Sequence, residues 1–241
     1  MAQRVPPLTR VVPHPSDSPP TLAVERVRGI VFDLDGTLVD SYGAIAESLN
    51  HARAAFALPP LAGDEIRCRV GHGLESLVSR LVGPQHVDAG VRIFRERYAE
   101  VFSDRTFTLP GVAETIRELR RRGYGLAVAS NKPARFGRAI LETLGLLEYV
   151  DDVQGPDSAG ATKPHPEMLR RSLQALDLHP GAGVYVGDMV LDVLTAARAG
   201  LPVILVPGGS CQRDALEATG QRVLSAFSEL ASLFVRPGPA A

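Results

Sequence analysis

The chain has 241 residues, 45% of them hydrophobic and 22% charged, the profile of an ordinary globular protein long enough for one large domain with a smaller appendage. Its 26 basic and 27 acidic residues leave a net charge of −1, which argues against a general nucleic-acid binder, and 5% aromatics with no tryptophan argue against a base-stacking platform. Two cysteines, Cys68 and Cys211, are too few for a disulfide scaffold, and no apolar run approaches the roughly 18 residues of a membrane helix.

Residues 1–27 are predicted to be a disordered, proline-rich leader. Pro6, Pro7, Pro13, Pro15, Pro19 and Pro20 crowd a segment with no helical or strand period. It holds no apolar stretch of signal-peptide length, which points away from secretion and towards a cytoplasmic protein. Residues 236–241, which include Pro237-Gly238-Pro239, read as a second disordered tail.

Between the tails, apolar runs alternate with helix-like runs. Residues 29–33, 125–130, 183–188 and 202–206 are predicted strands, and their near-continuous apolar character suits strands covered on both faces. Helices are expected over 112–122, 134–145, 166–178 and 189–199, with Gly123, Gly145 and Gly200 as stops. Alternation of this kind predicts an α/β fold, a parallel sheet with right-handed crossovers. One connection is too long. Residues 42–106 exceed what a crossover needs, and a structureless loop of that size is improbable in a compact domain. Helical patterns over 43–57, 64–69, 74–82 and 87–103 make this segment a small all-helical insert after the first strand. The expected organisation is therefore a core of 28–41 and 107–235 with the insert at 42–106.

Chemistry concentrates at predicted strand ends, where open α/β sheets bind ligands. In Asp33-Leu34-Asp35-Gly36-Thr37, a strand running through Asp35 would put both carboxylates on one side and Leu34 on the other, with Gly36 permitting a tight turn. The strand ending at Gly187-Asp188 is followed four residues later by Asp192, on one face if both are helical. Like charges about 4 Å apart repel by about 4 kcal/mol at an effective dielectric near 20. Several carboxylates at neighbouring strand ends thus need protons or a cation, and a hard ion with oxygen ligands is what magnesium prefers. Ser130-Asn131-Lys132 could bind phosphate oxygens before a helix or could be an ordinary capping turn. Lys163, in Lys163-Pro164-His165-Pro166, is a surface lysine or a cation offsetting the acids on the same rim.

Taken in order, Asp33-Leu34-Asp35-Gly36-Thr37, Ser130-Asn131, Lys163 and Gly187-Asp188 with Asp192 resemble the haloacid-dehalogenase-like hydrolase superfamily. The resemblance covers roughly residues 28–232. It implies a Rossmann-like core with a helical cap at 42–106. The segments Phe32 to Ser41, Val70-Gly71-His72-Gly73, Leu109-Pro110-Gly111-Val112, Ser130-Asn131-Lys132-Pro133 and Lys163-Pro164-His165-Pro166 look like the phosphoglycolate-phosphatase branch.

That resemblance implies a Mg²⁺-dependent phosphatase acting on a small phosphorylated metabolite, with 2-phosphoglycolate the single substrate named. Asp33 would be the nucleophile, forming an aspartyl-phosphate, and Asp35 the general acid and base. Asp33, Asp35 (through its carbonyl), Asp188 and Asp192 would hold the metal, Asp192 directly or through water. Ser130, Asn131, Gly36 and Thr37 would bind the phosphoryl group, and Lys163 would neutralise it. His72, flanked by Gly71 and Gly73, is the candidate loop for specificity. Arg67 and Arg69 read as surface charges. Neither a nucleic acid nor a membrane is an expected partner, and monomer and homodimer are both compatible with the composition. Two other readings use the same scaffold: a β-phosphoglucomutase-like phosphomutase and a non-catalytic phosphate-binding protein.

Overall fold

The computed structural model describes residues 18–235. Its strands and helices, in chain order, are β1 (Gly29–Phe32), β2 (Val39–Asp40), α1 (Tyr42–Ala55), α2 (Gly63–Arg67), α3 (Leu74–Leu81), α4 (Val87–Val101), β3 (Phe107–Thr108), α5 (Val112–Arg121), β4 (Gly125–Ala129), α6 (Ala134–Thr143), β5 (Asp152–Gln154), α7 (Pro156–Ala159), α8 (Glu167–Ala175), β6 (Gly183–Gly187), α9 (Val190–Ala199), β7 (Val203–Leu205), α10 (Arg213–Glu217), β8 (Arg222–Val223) and α11 (Glu229–Leu233).

Six strands form one parallel sheet in the order β5-β4-β1-β6-β7-β8. The chain lays β4 and β5 to one side of β1, then crosses to build β6, β7 and β8 on the other. β1 is thus the central strand, and the ends of β1, β4 and β6 meet where the order reverses, the usual crevice of open α/β sheets. Period 2 explains the layers. Ile30 and Phe32 of β1 join one buried cluster with Leu126, Val128 and Val184, while Val31 joins a second with Ala127 and Tyr185. Helices cover both faces. α5 shows why: Val112, Thr115, Ile116 and Leu119 are buried at helical spacing while its arginines face water.

The long connection after β1 is helical. Helices α1 to α4 enclose a third apolar cluster of their own, with Leu49, Ile66, Leu77, Val78 and Phe94 buried in it. This helical insert enters and leaves through β2 and β3, which pair antiparallel (Val39 with Thr108, Asp40 with Phe107) and so hold the two connections side by side. Neither of these two-residue strands has a readable period in the sequence, and β8 is equally short.

Three expectations differ in detail. β1 stops at Phe32 rather than running through Asp35, and Asp35 makes only an isolated bridge to Val39. Leu34 is nonetheless fully buried in the core. Asp188 lies in the turn before α9, not on it, so Asp188 and Asp192 do not share a helix face. Of the segment expected to be a disordered leader, residues 1–17 lie outside the described residues, but 18–27 dock. Leu22 and Val24 pack on the core and Val27 is buried, because these three apolar side chains follow the last leader proline. The expected tail at 236–241 lies outside the described residues.

Leu119 is fully buried between α5 and the sheet. Leu119→Ala should cost about 2–5 kcal/mol, read as a lower urea midpoint, and a loss below about 1 kcal/mol would contradict this packing.

Candidate functional site

The parallel register of β1 and β6 (Phe32 beside Val186) makes the chain emerge from both strands together. Asp33, whose N–H donates to the Val186 carbonyl at 2.8 Å, therefore stands next to Asp188. The first turn of α9 then brings Asp192 underneath. One carboxylate oxygen from each of Asp33, Asp188 and Asp192 lies within 4.8 Å of the others, and all three side chains are buried.

Each acid has different partners. Asp192 Oδ1 accepts from Lys163 Nζ at 2.8 Å and lies 3.1 Å from the Tyr185 hydroxyl, and its Oδ2 accepts the N–H groups of Asp188 and Met189 at 3.1 and 3.0 Å. Three donors point at it, and the one hydrogen of the Tyr185 hydroxyl has a second acceptor in the Ala129 carbonyl at 3.1 Å. Asp188 Oδ1 accepts from the Thr37 hydroxyl at 3.2 Å, and Oδ2 from the Ser210 N–H at 2.8 Å. Asp33 Oδ2 sits 2.8 Å from Lys163 Nζ, while its Oδ1 is buried without a partner. A buried, unpartnered carboxylate oxygen on Asp33, in a cluster with two further carboxylates, fits a hard cation with oxygen ligands, which is the donor set magnesium takes.

The electrostatics follow from burial. Asp188 is pushed well above the usual aspartate range, first by desolvation and then by the charges of Asp192 and Asp33. Burial alone would depress Lys163, but Asp192 and Asp33 overturn it and hold the ammonium well above its ordinary value. Lys163 is thus the built-in counter-ion.

A cavity of about 80 Å³ opens above these groups. Its floor is Asp33, Asp35, Ser130, Asn131, Lys132 and Lys163, and its roof is the helical insert, through Val70, Gly71, Leu74, Phe94, Arg95 and Tyr98 among others. Asp35 accepts from the Ser41 hydroxyl and pairs with Lys132 Nζ at 3.2 Å. Lys132 also donates to the Tyr98 hydroxyl of α4 at 2.8 Å. The Asn131 side chain spans floor and roof. Its Nδ2 donates to the Gly71 carbonyl at 2.8 Å, and its Oδ1 accepts the Lys163 N–H at 2.7 Å.

Several expected residues stand elsewhere than at the cavity. Thr37 is fully buried with its hydroxyl on Asp188, so it orients an acid rather than facing a ligand. Gly36, at φ +84°, does not line the cavity; a Cβ there would meet the Tyr42 hydroxyl at 2.4 Å and Asp188 Oδ2 at 2.7 Å, so glycine permits this close packing. Gly71 and Gly73 line the cavity, whereas His72 is half-buried behind them with an unpartnered Nδ1. Burial first, then the charges of Arg80 and Lys163, hold this imidazole below its ordinary pKa. Arg67 is no surface charge: it donates to the carbonyls of Gly209 and Gly208 and covers the Tyr42 ring, fastening the insert to the loop that holds Asp188. Arg69 pairs locally with Glu65.

Sequence reasoning missed Lys132, Tyr98, Tyr185, Arg95 and the Gly208-Gly209-Ser210 loop. Lys132 stood inside a quoted motif, Tyr185 was a polar residue in an apolar strand, and the glycine pair followed a strand end. Nothing in the sequence marked Tyr98 and Arg95 beyond their place on α4.

The haloacid dehalogenase-like hydrolase family model matches residues 30–206. The plasmid phosphoglycolate phosphatase of Cupriavidus necator is 36% identical over 192 residues, which span 75% of this chain and 83% of that protein. The crystal structure of a Haemophilus somnus protein described as a predicted phosphoglycolate phosphatase superposes with a TM-score of 0.77 at 26% identity, covering 86% of this chain and 98% of that one. CbbY from Rhodobacter sphaeroides, crystallised with phosphate, gives a TM-score of 0.73 at 25% identity over 85% and 96% of the two chains.

The raised Asp188 has a thermodynamic consequence. Its contribution to stability is complete below the ordinary aspartate value of 3.8 and is lost as pH rises through the raised native value. Ionising Asp188 in the metal-free protein is therefore destabilising. Asp188→Asn should raise the metal-free melting temperature, whereas millimolar Mg²⁺ should raise that of the parent and leave the variant nearly unmoved. A variant that melts lower without metal would contradict this account.

Proposed function

The chain belongs to the haloacid dehalogenase-like hydrolase family, in its phosphoglycolate-phosphatase-like branch, and on that premise we propose that this phosphatase is Mg²⁺-dependent, works through an aspartyl-phosphate and acts on 2-phosphoglycolate. The observation carrying the reading is the juxtaposition of Asp33, Asp188 and Asp192 with Lys163 beneath a cavity of about 80 Å³. The cavity is small, which suits a short substrate.

Asp33, Asp188 and the Asp35 carbonyl would hold magnesium, which would supply charge stabilisation for the phosphoryl oxygens. Asp192, held by Lys163 and two backbone N–H groups, supports the site by fixing Lys163 and the backbone of Asp188. Asp33 attacks phosphorus as the bond to the ester oxygen breaks, and the Asp35 carboxyl gives its proton to the departing alkoxide. Asp35, now a carboxylate, takes a proton from water, whose oxygen attacks the aspartyl-phosphate and releases phosphate and the free Asp33 carboxylate. Ser130 and the Asn131 backbone hold phosphoryl oxygens. Lys163 offsets the negative charge of Asp33 and the phosphoryl group together, and the insert excludes bulk water.

Asp33→Asn should lower phosphate release from 2-phosphoglycolate by about a thousandfold or more, and Asp35→Asn nearly as far. Chelation of divalent ions should silence the parent enzyme and Mg²⁺ should restore it. Full turnover by purified Asp33→Asn would sink the nucleophile assignment, and parent activity indifferent to chelator would sink the metal.

The Gly209 position tests the support of Asp188. A Cβ there would lie 1.7 Å from Asp188 Oδ2. Gly209→Ala should therefore raise the Mg²⁺ concentration needed for half-maximal activity, while an unchanged metal requirement would show that the loop does not set this carboxylate.

A further inference from the structure

The roof of the cavity is mostly hydrocarbon. Ile45, Val70, Leu74, Leu77 and Phe94 line it from the insert, and the Tyr98 hydroxyl is already taken by Lys132. Among the described residues that line the cavity from the insert, Arg95 alone carries a charge.

Arg95 is poorly satisfied where it stands. Its Nε is buried with no hydrogen-bond partner, although an arginine offers five donors. It pairs through Nη2 with Glu75 at 3.0 Å, with side-chain exposures of 42% and 61%, which makes this a weak surface pair. A buried orphan donor in an apolar wall costs stability unless a ligand answers it. The planar guanidinium fork matches a carboxylate in two parallel hydrogen bonds.

We infer that Arg95 is a specificity-determining residue that receives a carboxylate at the non-phosphorylated end of the substrate. The inference rests on the phosphatase reading, which puts the phosphoryl group on the floor at Asp33, Ser130 and Lys163 and turns the rest of the substrate towards the roof. The substrate class is then a short phosphomonoester ending in a carboxylate. Sugar phosphates without a carboxylate lack the charge that would pair with Arg95.

The experiment compares kcat/KM for 2-phosphoglycolate with that for 2-hydroxyethyl phosphate, which has the same length and a neutral hydroxymethyl group in place of the carboxylate. The parent enzyme should prefer 2-phosphoglycolate. In Arg95→Met the preference ratio should fall about 30- to 100-fold, mainly through KM for phosphoglycolate, and Arg95→Lys should recover part of it. A ratio unchanged by Arg95→Met, or a parent enzyme that hydrolyses both esters equally well, overturns the Arg95 assignment and leaves the phosphatase reading standing. Release of phosphate from neither ester by the Mg²⁺-loaded parent overturns the phosphatase reading, and the assignment with it.

Discussion

Three buried carboxylates held together against their mutual repulsion are the constraint on which this molecule is organised. Parallel, in-register pairing of β1 and β6 forces Asp33 and Asp188 to leave the sheet side by side. The first turn of α9 then adds Asp192, which accepts from Lys163 and two backbone N–H groups and lies 3.1 Å from the Tyr185 hydroxyl. Lys163 touches both Asp33 and Asp192 at 2.8 Å, yet one ammonium cannot neutralise three acids. Burial makes the imbalance costly. The surplus negative charge is what a cation would relieve, so a locally unfavourable arrangement is retained at the point of chemistry, as stability–function trade-offs lead one to expect.

The insert is fastened to the same groups it covers. Asn131 joins the Gly71 carbonyl of the roof to the backbone of Lys163. Lys132 joins Tyr98 of α4 to Asp35. Arg67 joins α2 to the Gly208-Gly209 loop, which in turn grips Asp188 through the Ser210 N–H. Each polar tie between insert and core thus ends on a segment that also holds an acid or the buried lysine. Around these ties Phe136 of α6 packs edge-on against Tyr98 and Phe102, giving an apolar seat that positions α4 over the floor. Displacing the insert would break contacts that orient Asp35, Lys163 and Asp188 together, so closure and site geometry form one structural variable.

Much of this was legible in the sequence because the relevant signals are local and periodic. The core strands are uninterrupted apolar runs, α5 repeats at helical spacing, and the surplus of residues 42–106 demanded a helical body of its own. The acids announced themselves by standing at the ends of those runs. What stayed hidden depends on contacts distant in sequence. Tyr98 and Arg95 matter because α4 lies over β4's end, and no spacing rule carries that information. β2, β3 and β8 are two residues each, too short for alternation to register. Thr37 and Gly36 read as ligand-binding from their neighbours, but their side of the turn faces Asp188 rather than the cavity. The docking of Leu22 and Val24 was masked by the prolines before them.

The two walls of the cavity obey different rules, and this separates chemistry from choice. On the floor almost every polar atom is already committed: Ser41 and Lys132 to Asp35, Thr37 and Ser210 to Asp188, Tyr185 to the Lys163 pair. Changing one leaves another buried and unpaired, which costs far more than an exchange of similar volume among hydrocarbon side chains. The roof is mainly such hydrocarbon, carried on helices with an apolar cluster of their own. It can be reshaped residue by residue without disturbing the acids, while the few polar ties keep it in register with them. A single charge placed in that tolerant wall can therefore alter which molecules are accepted and leave the phosphoryl chemistry beneath it intact.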